Sequence, residues 1–109
     1  MKLEVKVTQA DIEAGIPGVY NECPVAQALK RLGCEQIDAD EDRILLTHDN
    51  KRYVFKTPRA ANHFIDDFDC DREVKAFEFE LEKPRLATVD DERKPINYSK
   101  TTWGSNDAK

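Results

Sequence analysis

The stretch RILLTHDNKRYVFKTP, residues 43–58, has the pattern of a β-hairpin that leads into a helix. Asp49 and Asn50 form turns readily, because their side chains hydrogen-bond to nearby backbone and both tolerate a positive φ. The Tyr-Val-Phe run at 53–55 strongly favours a strand. Thr-Pro at 57–58 supplies an N-cap and a first-turn proline. The stretch therefore predicts two antiparallel strands followed by a helix.

Downstream of the hairpin, the sequence predicts that helix and a final strand. The helix is indicated by apolar residues at i, i+3, i+4 and i+7, namely Ala61, Phe64, Ile65 and Phe68. The strand is indicated by period-2 alternation over 77–82, with Phe77, Phe79 and Leu81 inward and Glu78, Glu80 and Glu82 outward. Lys83 and Pro84 close it.

Upstream of the hairpin, residues 2–7 alternate with the same period and predict a first strand. Thr8 and Asp11 resemble a capping box, which indicates a short helix over 9–14 that stops at Gly15. A second helix is predicted to begin at Cys23-Pro24, with Val25, Leu29 and Leu32 on one face, and to end at Gly33. Ile37 and Ala39 indicate an additional short strand.

This element order predicts an α+β fold, namely a small antiparallel sheet with two helices on one face. The order β-α-β-β-α-β is that of a ferredoxin-like split βαβ sandwich, in which the first and last strands are neighbours. Lys2 and Lys6 would then lie opposite the outward glutamates of the last strand, which is a favourable arrangement of charge. A different topology with helices on a sheet remains an alternative.

The length indicates a single domain, which we assign to residues 1–82. Residues 83–109 lack a sustained period, so we interpret them as a flexible or docking C-terminal tail. Tyr98 and Trp103 are the candidate partner-binding residues of this tail, because exposed aromatic residues often anchor interfaces. The alternatives are that the tail packs back on its own sheet or has no function.

Charge is distributed unevenly along the chain. Residues 1–82 carry 11 Lys/Arg and 18 Asp/Glu, a net charge of −7, whereas residues 83–109 carry 6 and 4, a net charge of +2. An acidic body disfavours direct binding to nucleic acid or to an anionic membrane surface. We also expect no membrane span or signal peptide, and an odd number of cysteines favours a reducing, cytoplasmic location.

Cys23 is the strongest candidate for covalent chemistry, because a helix N-terminus stabilises a thiolate. Neither His48 nor His63 has a spacing that places it near Cys23, and cysteine is among the most buried residue types. We therefore expect an inert thiol. The sequence also has no P-loop, catalytic triad or HExxH motif, so an enzyme is not expected.

No metal or cofactor is expected either. The three cysteines and two histidines lack the close pairs typical of a zinc site. Residues 67–78 resemble an EF-hand calcium loop at the aspartates, but position 6 is Arg72 where that loop requires glycine.

Four segments, DIEAG at 11–15, CPVAQAL at 23–29, FIDDFD at 64–69 and FEFEL at 77–81, are similar to segments of uncharacterised small proteins of phages and bacteria. The resemblance covers residues 3–82 and supplies no catalytic residue. It implies a phage-encoded accessory role in the host cytoplasm. Small acidic phage proteins often occupy the binding surface of a host protein. Such host proteins include defence nucleases and nucleic-acid enzymes.

The sequence therefore favours stoichiometric binding to a host protein, with inhibition by nucleic-acid mimicry as one form of it. The candidate acidic surface consists of Glu78, Glu80, Glu82, Asp66, Asp67, Asp69, Asp71, Asp40, Glu41 and Asp42. The alternative interpretation of these residues is an ordinary solvated surface. Two other function classes stay open: a thiol-dependent enzyme or redox module using Cys23, and a homodimer formed through a sheet edge.

Overall fold

The structure, a computed structural model, describes residues 1–93. The strands of this part of the chain are β1 (Lys2–Val7), β2 (Glu35–Ala39), β3 (Arg43–His48), β4 (Lys51–Lys56), β5 (Phe77–Glu82) and β6 (Arg85–Leu86). Its helices are α1 (Gln9–Ala14), α2 (Pro24–Arg31), α3 (Arg59–Asp69) and α4 (Val89–Arg93). The α+β class predicted from the sequence is confirmed.

The strands form two antiparallel sheets. One has four strands in the order β2-β3-β4-β6, and the other is a two-stranded ribbon of β1 and β5. In the ribbon, Lys2 pairs with Glu82 and Lys6 with Glu78, so the predicted contact between the first and last strands is present. The two sheets share one hydrophobic core.

The hairpin predicted at 43–58 is present. β3 and β4 pair along their full length, and the turn residues Asp49 and Asn50 have φ values of 52° and 65°. Two consecutive positive φ values give the turn a twist that matches the right-handed twist of the flanking strands. The additional strand predicted at Ile37 is also present as β2, which pairs with β3.

The observed helix starts agree with the sequence predictions at α1 and α2 but not at α3. α2 has Cys23 as its N-cap and Pro24 at its first position, as predicted. At α3 the N-cap is Pro58, one residue later than predicted. The hydroxyl of Thr57 instead donates a 2.7 Å hydrogen bond to the carbonyl of Asp40, which ties the start of α3 to the turn between β2 and β3.

Glycine commonly ends a helix because it adopts a left-handed backbone, but Gly15 ends α1 for a different reason. Its φ is −74°, so no left-handed backbone is required there. A Cβ at this position would instead lie 2.5 Å from Cδ of Pro24. The close approach of the end of α1 to the start of α2 therefore requires glycine.

The main core takes apolar side chains from every large element. The ribbon contributes residues that alternate with its exposed glutamates, and the four-stranded sheet contributes one of its two faces. The buried members are Val5, Val7, Cys23, Val25, Ala26, Ala28, Leu29, Cys34, Ile37, Ala39, Ile44, Leu46, Phe55, Ala61, Phe64, Ile65, Phe79 and Leu81. Phe64, Phe68, Phe77 and Phe79 form a chain of ring contacts that joins α3 to β5.

The ferredoxin-like order and the placement of two helices on one face of a single sheet are not confirmed. The ferredoxin-like order would place β1 between β5 and β4. Here the edge of β4 pairs with β6, through Tyr53 with Leu86 and Val54 with Arg85. Because β6 occupies that position, β1 and β5 form a separate ribbon.

Residues 85–93 lie beyond the predicted domain boundary at residue 82, and they are folded against the four-stranded sheet. β6 pairs with β4, and the Ala87 N–H donates a 2.9 Å hydrogen bond to the carbonyl of Arg52. Ala87 also covers Leu45 and Val54 on the sheet face that points away from the main core. Residues 85–93 therefore pack on a sheet of their own chain, and residues 94–109 of the predicted tail lie outside the described residues.

Among the described residues, no helix has both the length and the apolar character that crossing a membrane requires.

A capping box and an arginine join α1, α2 and β1. The Thr8 hydroxyl accepts the Asp11 N–H at 3.2 Å, and the Asp11 carboxylate accepts the Thr8 N–H at 2.9 Å. Arg31 binds both carboxylate oxygens of Asp11, at 2.7 and 2.9 Å, and also donates to the carbonyl of Lys6. The Arg31 guanidinium lowers the pKa of the buried Asp11 carboxyl.

We predict that Asp11→Ala lowers the free energy of unfolding at pH 7 by about 1–2 kcal/mol, because it removes a helix cap and a charge-assisted pair. A lowered pKa in the folded state adds stability above the unfolded pKa of about 3.9, and this stability is lost as the pH falls through the folded value. The difference between the variant and the wild type should therefore shrink in acid. Urea unfolding at pH 7 and pH 3 measures it.

Glu13→Ala is the control for that measurement, because Glu13 lies on the same helix and is exposed. An Asp11→Ala protein as stable as the Glu13→Ala protein at pH 7 would contradict the role given to this cap.

Candidate functional site

The predicted acidic residues lie in three separate parts of the fold. Glu78, Glu80 and Glu82 are exposed on the outer face of the β1–β5 ribbon, as the alternation of the sequence indicates. Their cross-strand partners are Lys6, Glu4 and Lys2, respectively. The face is thus mixed in charge, with a net value of −2 over these six residues, and Lys2 Nζ lies 3.9 Å from Oε1 of Glu80.

The second group lies at the C-terminal end of α3. Asp66 and Asp67 both pair with Arg72, at 3.3 and 2.9 Å. Asp69 accepts the N–H of Gly18, which fastens the loop before α2 to this end of the helix. Asp71 is exposed with a φ of 62°. Three of these four carboxylates therefore already have a partner within the protein.

The third group is the turn between β2 and β3. Asp40 is only 7% exposed, and its carboxylate accepts the N–H of Glu41. The carbonyl of Glu41 accepts an N–H of the Asn62 side chain, and Asp42 is exposed. Asp40 thus stabilises a turn and does not add to an exposed acidic surface.

Cys23 is a core residue. It is 3% exposed, and burial raises the pKa of its thiol to about 11. Burial also raises the pKa of Cys34, which is 4% exposed, whereas Cys70 is exposed. The N-terminus of α2 therefore does not produce a thiolate at neutral pH, because desolvation outweighs the helix dipole.

We predict that iodoacetamide at pH 7.5 modifies Cys70 and leaves Cys23 and Cys34 unmodified in the native protein, because only Cys70 is accessible. Mass spectrometry of peptides after alkylation measures the site. The Cys70→Ser variant, which should not be labelled until it is denatured, is the control. Labelling of Cys23 in the folded variant would overturn the assignment.

The other two predicted partner-binding residues, Tyr98 and Trp103, lie outside the described residues.

The outer face of the four-stranded sheet carries a set of charged residues that the sequence analysis did not single out. Asp91 of α4 is 6% exposed. Its carboxylate binds Arg85 through two contacts of 2.6 and 2.8 Å and Arg43 at 3.0 Å, and it also accepts the N–H and hydroxyl of Thr88. Arg85 and the Thr88 hydrogen bonds strongly lower the pKa of Asp91. We call this arrangement the Asp91 junction.

Arg52 forms a second contact point on the same face. Its Nε lies 2.8 Å from Glu92 of α4, its Nη2 lies 3.7 Å from Asp38 of β2, and its Nη1 donates to the carbonyl of Gln36. Gln36 has a φ of 48° where the register of β2 shifts, so a bulge turns this carbonyl towards Arg52. Burial raises the pKa of Asp38.

Among the described residues, a larger and a smaller groove lie beside the segment that crosses this face. The larger, of about 540 Å³, is polar and lies beside Arg52. The smaller, of about 350 Å³, is basic. It is lined by Asp42, Arg43, Val54, Phe55, Lys56, Lys83 and Arg85.

The Asp91 junction had a signal in the sequence that was not recognised. Thr88 and Asp91 have the same spacing as Thr8 and Asp11, and they form the same reciprocal pair of hydrogen bonds. This box marks the start of a helix inside a segment that was interpreted as a tail. The arginine partners carry no local signal, because Arg43 is 48 residues from Asp91.

Within residues 1–93, the structure contains no group of three or more His, Cys, Asp and Glu side chains arranged to hold a metal ion.

No family model, curated protein or solved structure matches the chain.

Proposed function

We propose that the protein acts by stoichiometric binding to a basic surface of another protein, through the outer face of the β1–β5 ribbon. The observation that carries the proposal is the array of carboxylates on this face. Glu4, Glu78, Glu80 and Glu82 are all exposed on it, and only two lysines offset them.

The spacing of these carboxylates suits a partner that presents several cations. Alternate residues of a strand lie about 6.5–7 Å apart, which is comparable to the spacing of phosphates along a nucleic-acid strand. Glu4 lies directly opposite Glu80, a like-charge pair that disfavours the free ribbon and favours a cation bound between the two. The Lys2–Glu80 contact relieves part of this repulsion.

The proposed partner class is supported by this chemistry and is the one implied by the resemblance that the sequence suggests to small phage and bacterial proteins. A surface that engages carboxylates at phosphate-like spacing is typical of proteins that bind DNA or RNA. We propose that the partner is a host protein that defends against phages or processes nucleic acid, and that binding inhibits it in the cytoplasm.

The two other function classes have weaker support. A Cys23-dependent enzyme requires a thiolate, and burial raises the pKa of this thiol to about 11. A homodimer through the edge of β1 is disfavoured by charge, because antiparallel pairing of two copies centred on Glu4 opposes Glu4 to itself and Lys2 to Lys6. The Lys6 carbonyl of this strand is also already bound by Arg31.

We predict that the tagged protein captures one stoichiometric partner from a bacterial lysate at about 0.1 M salt and loses it at about 0.5 M salt. The screening length falls from about 10 Å to about 4 Å over this range. The triple variant Glu78→Lys, Glu80→Lys and Glu82→Lys should weaken binding to the purified partner by about tenfold or more, since each exposed ion pair contributes up to about 1 kcal/mol. Calorimetry with the purified components measures both affinity and stoichiometry.

The matched control is the triple variant Glu13→Lys, Glu35→Lys and Glu73→Lys. It changes the net charge by the same amount, at exposed residues away from the ribbon face. This variant should bind with an affinity close to that of the wild type. Equal weakening by the two triple variants would show that net charge alone matters, and the ribbon face would not be the binding site. A partner bound equally well at both salt concentrations would also contradict the proposal.

A further inference from the structure

The smaller groove brings four cations together on an otherwise acidic protein. Arg43 begins β3, Lys56 ends β4, Arg85 lies in β6 and Lys83 precedes it in the turn from β5. The described residues carry 14 Lys/Arg and 21 Asp/Glu, so their net charge is −7. A groove with a local excess of positive charge therefore stands out against the surface around it.

The strand register places two of these cations in direct opposition. Arg43 and Lys56 are cross-strand partners, so their side chains leave the same face of the sheet about 5 Å apart. Like charges in this position destabilise a sheet. Asp91 binds Arg43 and relieves part of this cost, and an anion beside Lys56 would relieve more of it. Arg85 pairs with Val54, two residues before Lys56, and so adds its charge on the same face.

The internal counter-ions do not neutralise the groove. Both oxygens of the Asp91 carboxylate are occupied by Arg43, Arg85 and Thr88. Lys56 and Lys83 are exposed and form no ion pair with any other residue of the described chain. Asp42 lines the groove together with the four cations, and Asp91 binds two of them, Arg43 and Arg85.

The Asp91 junction also makes the groove rigid on one side. Arg43 and Arg85 are held by the same carboxylate, so their positions are fixed relative to each other. Lys83 has a φ of 56°, a left-handed conformation that is costly for a residue before proline. This conformation lies at the turn that brings Lys83 to the groove.

From this arrangement we infer that the groove between β3, β4 and β6 binds a phosphoryl group, contacted by Lys56 and Lys83 and backed by Arg43 and Arg85. A phosphoryl group is anionic and accepts several hydrogen bonds at once, which suits the two lysines that form no ion pair within the described chain. The volume of about 350 Å³ accommodates a phosphate alone or the phosphate end of a small metabolite. The site lies on the four-stranded sheet and the carboxylate face lies on the ribbon, with Lys83 directly after Glu82 in the chain.

The test is a titration of the ¹⁵N-labelled protein with sodium phosphate, sodium pyrophosphate and adenosine monophosphate, at constant ionic strength adjusted with sodium chloride. We expect saturable amide shifts centred on Lys56, Lys83 and Arg85, with a Kd of about 1 mM or lower for at least one ligand, since two charge-assisted contacts suffice for it. Equal affinity for phosphate and the nucleotide indicates a site for the phosphoryl group alone. Tighter binding of the nucleotide indicates a phosphorylated metabolite.

The variant Lys56→Gln with Lys83→Gln should weaken this binding by about tenfold or more, because it removes both flexible cations. The matched control is Lys51→Gln with Lys75→Gln, since these lysines are exposed and do not line the groove. The single variant Lys56→Gln should weaken the binding of the same ligands to a smaller extent. In phosphate-free buffer its Tm should not fall below that of the wild type, because the repulsion from Arg43 is removed.

Three results would overturn the inference. The first is the absence of saturable shifts for all three ligands in the wild type. The second is unchanged affinity in the double lysine variant, and the third is an equal loss in the Lys51 and Lys75 control. The second and third would place the bound anion elsewhere on the protein.

Discussion

The carboxylate of Asp91 joins residues 85–93 to the outer face of the four-stranded sheet. It binds Arg43 of β3 and Arg85 of β6 and at the same time caps α4 through Thr88. With this segment in place, Ala87 covers Leu45 and Val54, which would otherwise expose apolar surface on that face. β6 lies beside β4 and so occupies the edge that β1 would need. The Asp91 junction, which holds β6 in place, is therefore linked to the pairing of β1 with β5 in a separate ribbon.

The sequence predicted most of the local structure. Period-2 alternation identified β1 and β5, the turn residues identified the β3–β4 hairpin, and Pro24 marked the start of α2. These features depend on residues that are close together in the sequence, so the sequence pattern is enough to predict them. The topology could not be obtained in the same way, because a two-residue strand after Pro84 decided which partner β4 received.

The candidate sites were predictable to different degrees. Exposure of the ribbon glutamates followed from strand alternation alone. Burial of Asp40 did not, because its surroundings are set by the turn that it stabilises and by Thr57 of a later segment. The basic groove was also missed, since its cations come from three strands and a turn, and the acidic composition drew attention to the opposite charge.

Amide hydrogen exchange at Ala87 and Thr88 tests the central claim most directly, namely that residues 85–93 form part of the folded domain. The Ala87 N–H donates to the carbonyl of Arg52, and the Thr88 N–H donates to Asp91. We expect both amides to be protected in the wild type and to lose protection in Asp91→Asn, with the amides of β3 still protected. Exchange of both wild-type amides at the rate of an unstructured peptide would contradict the account.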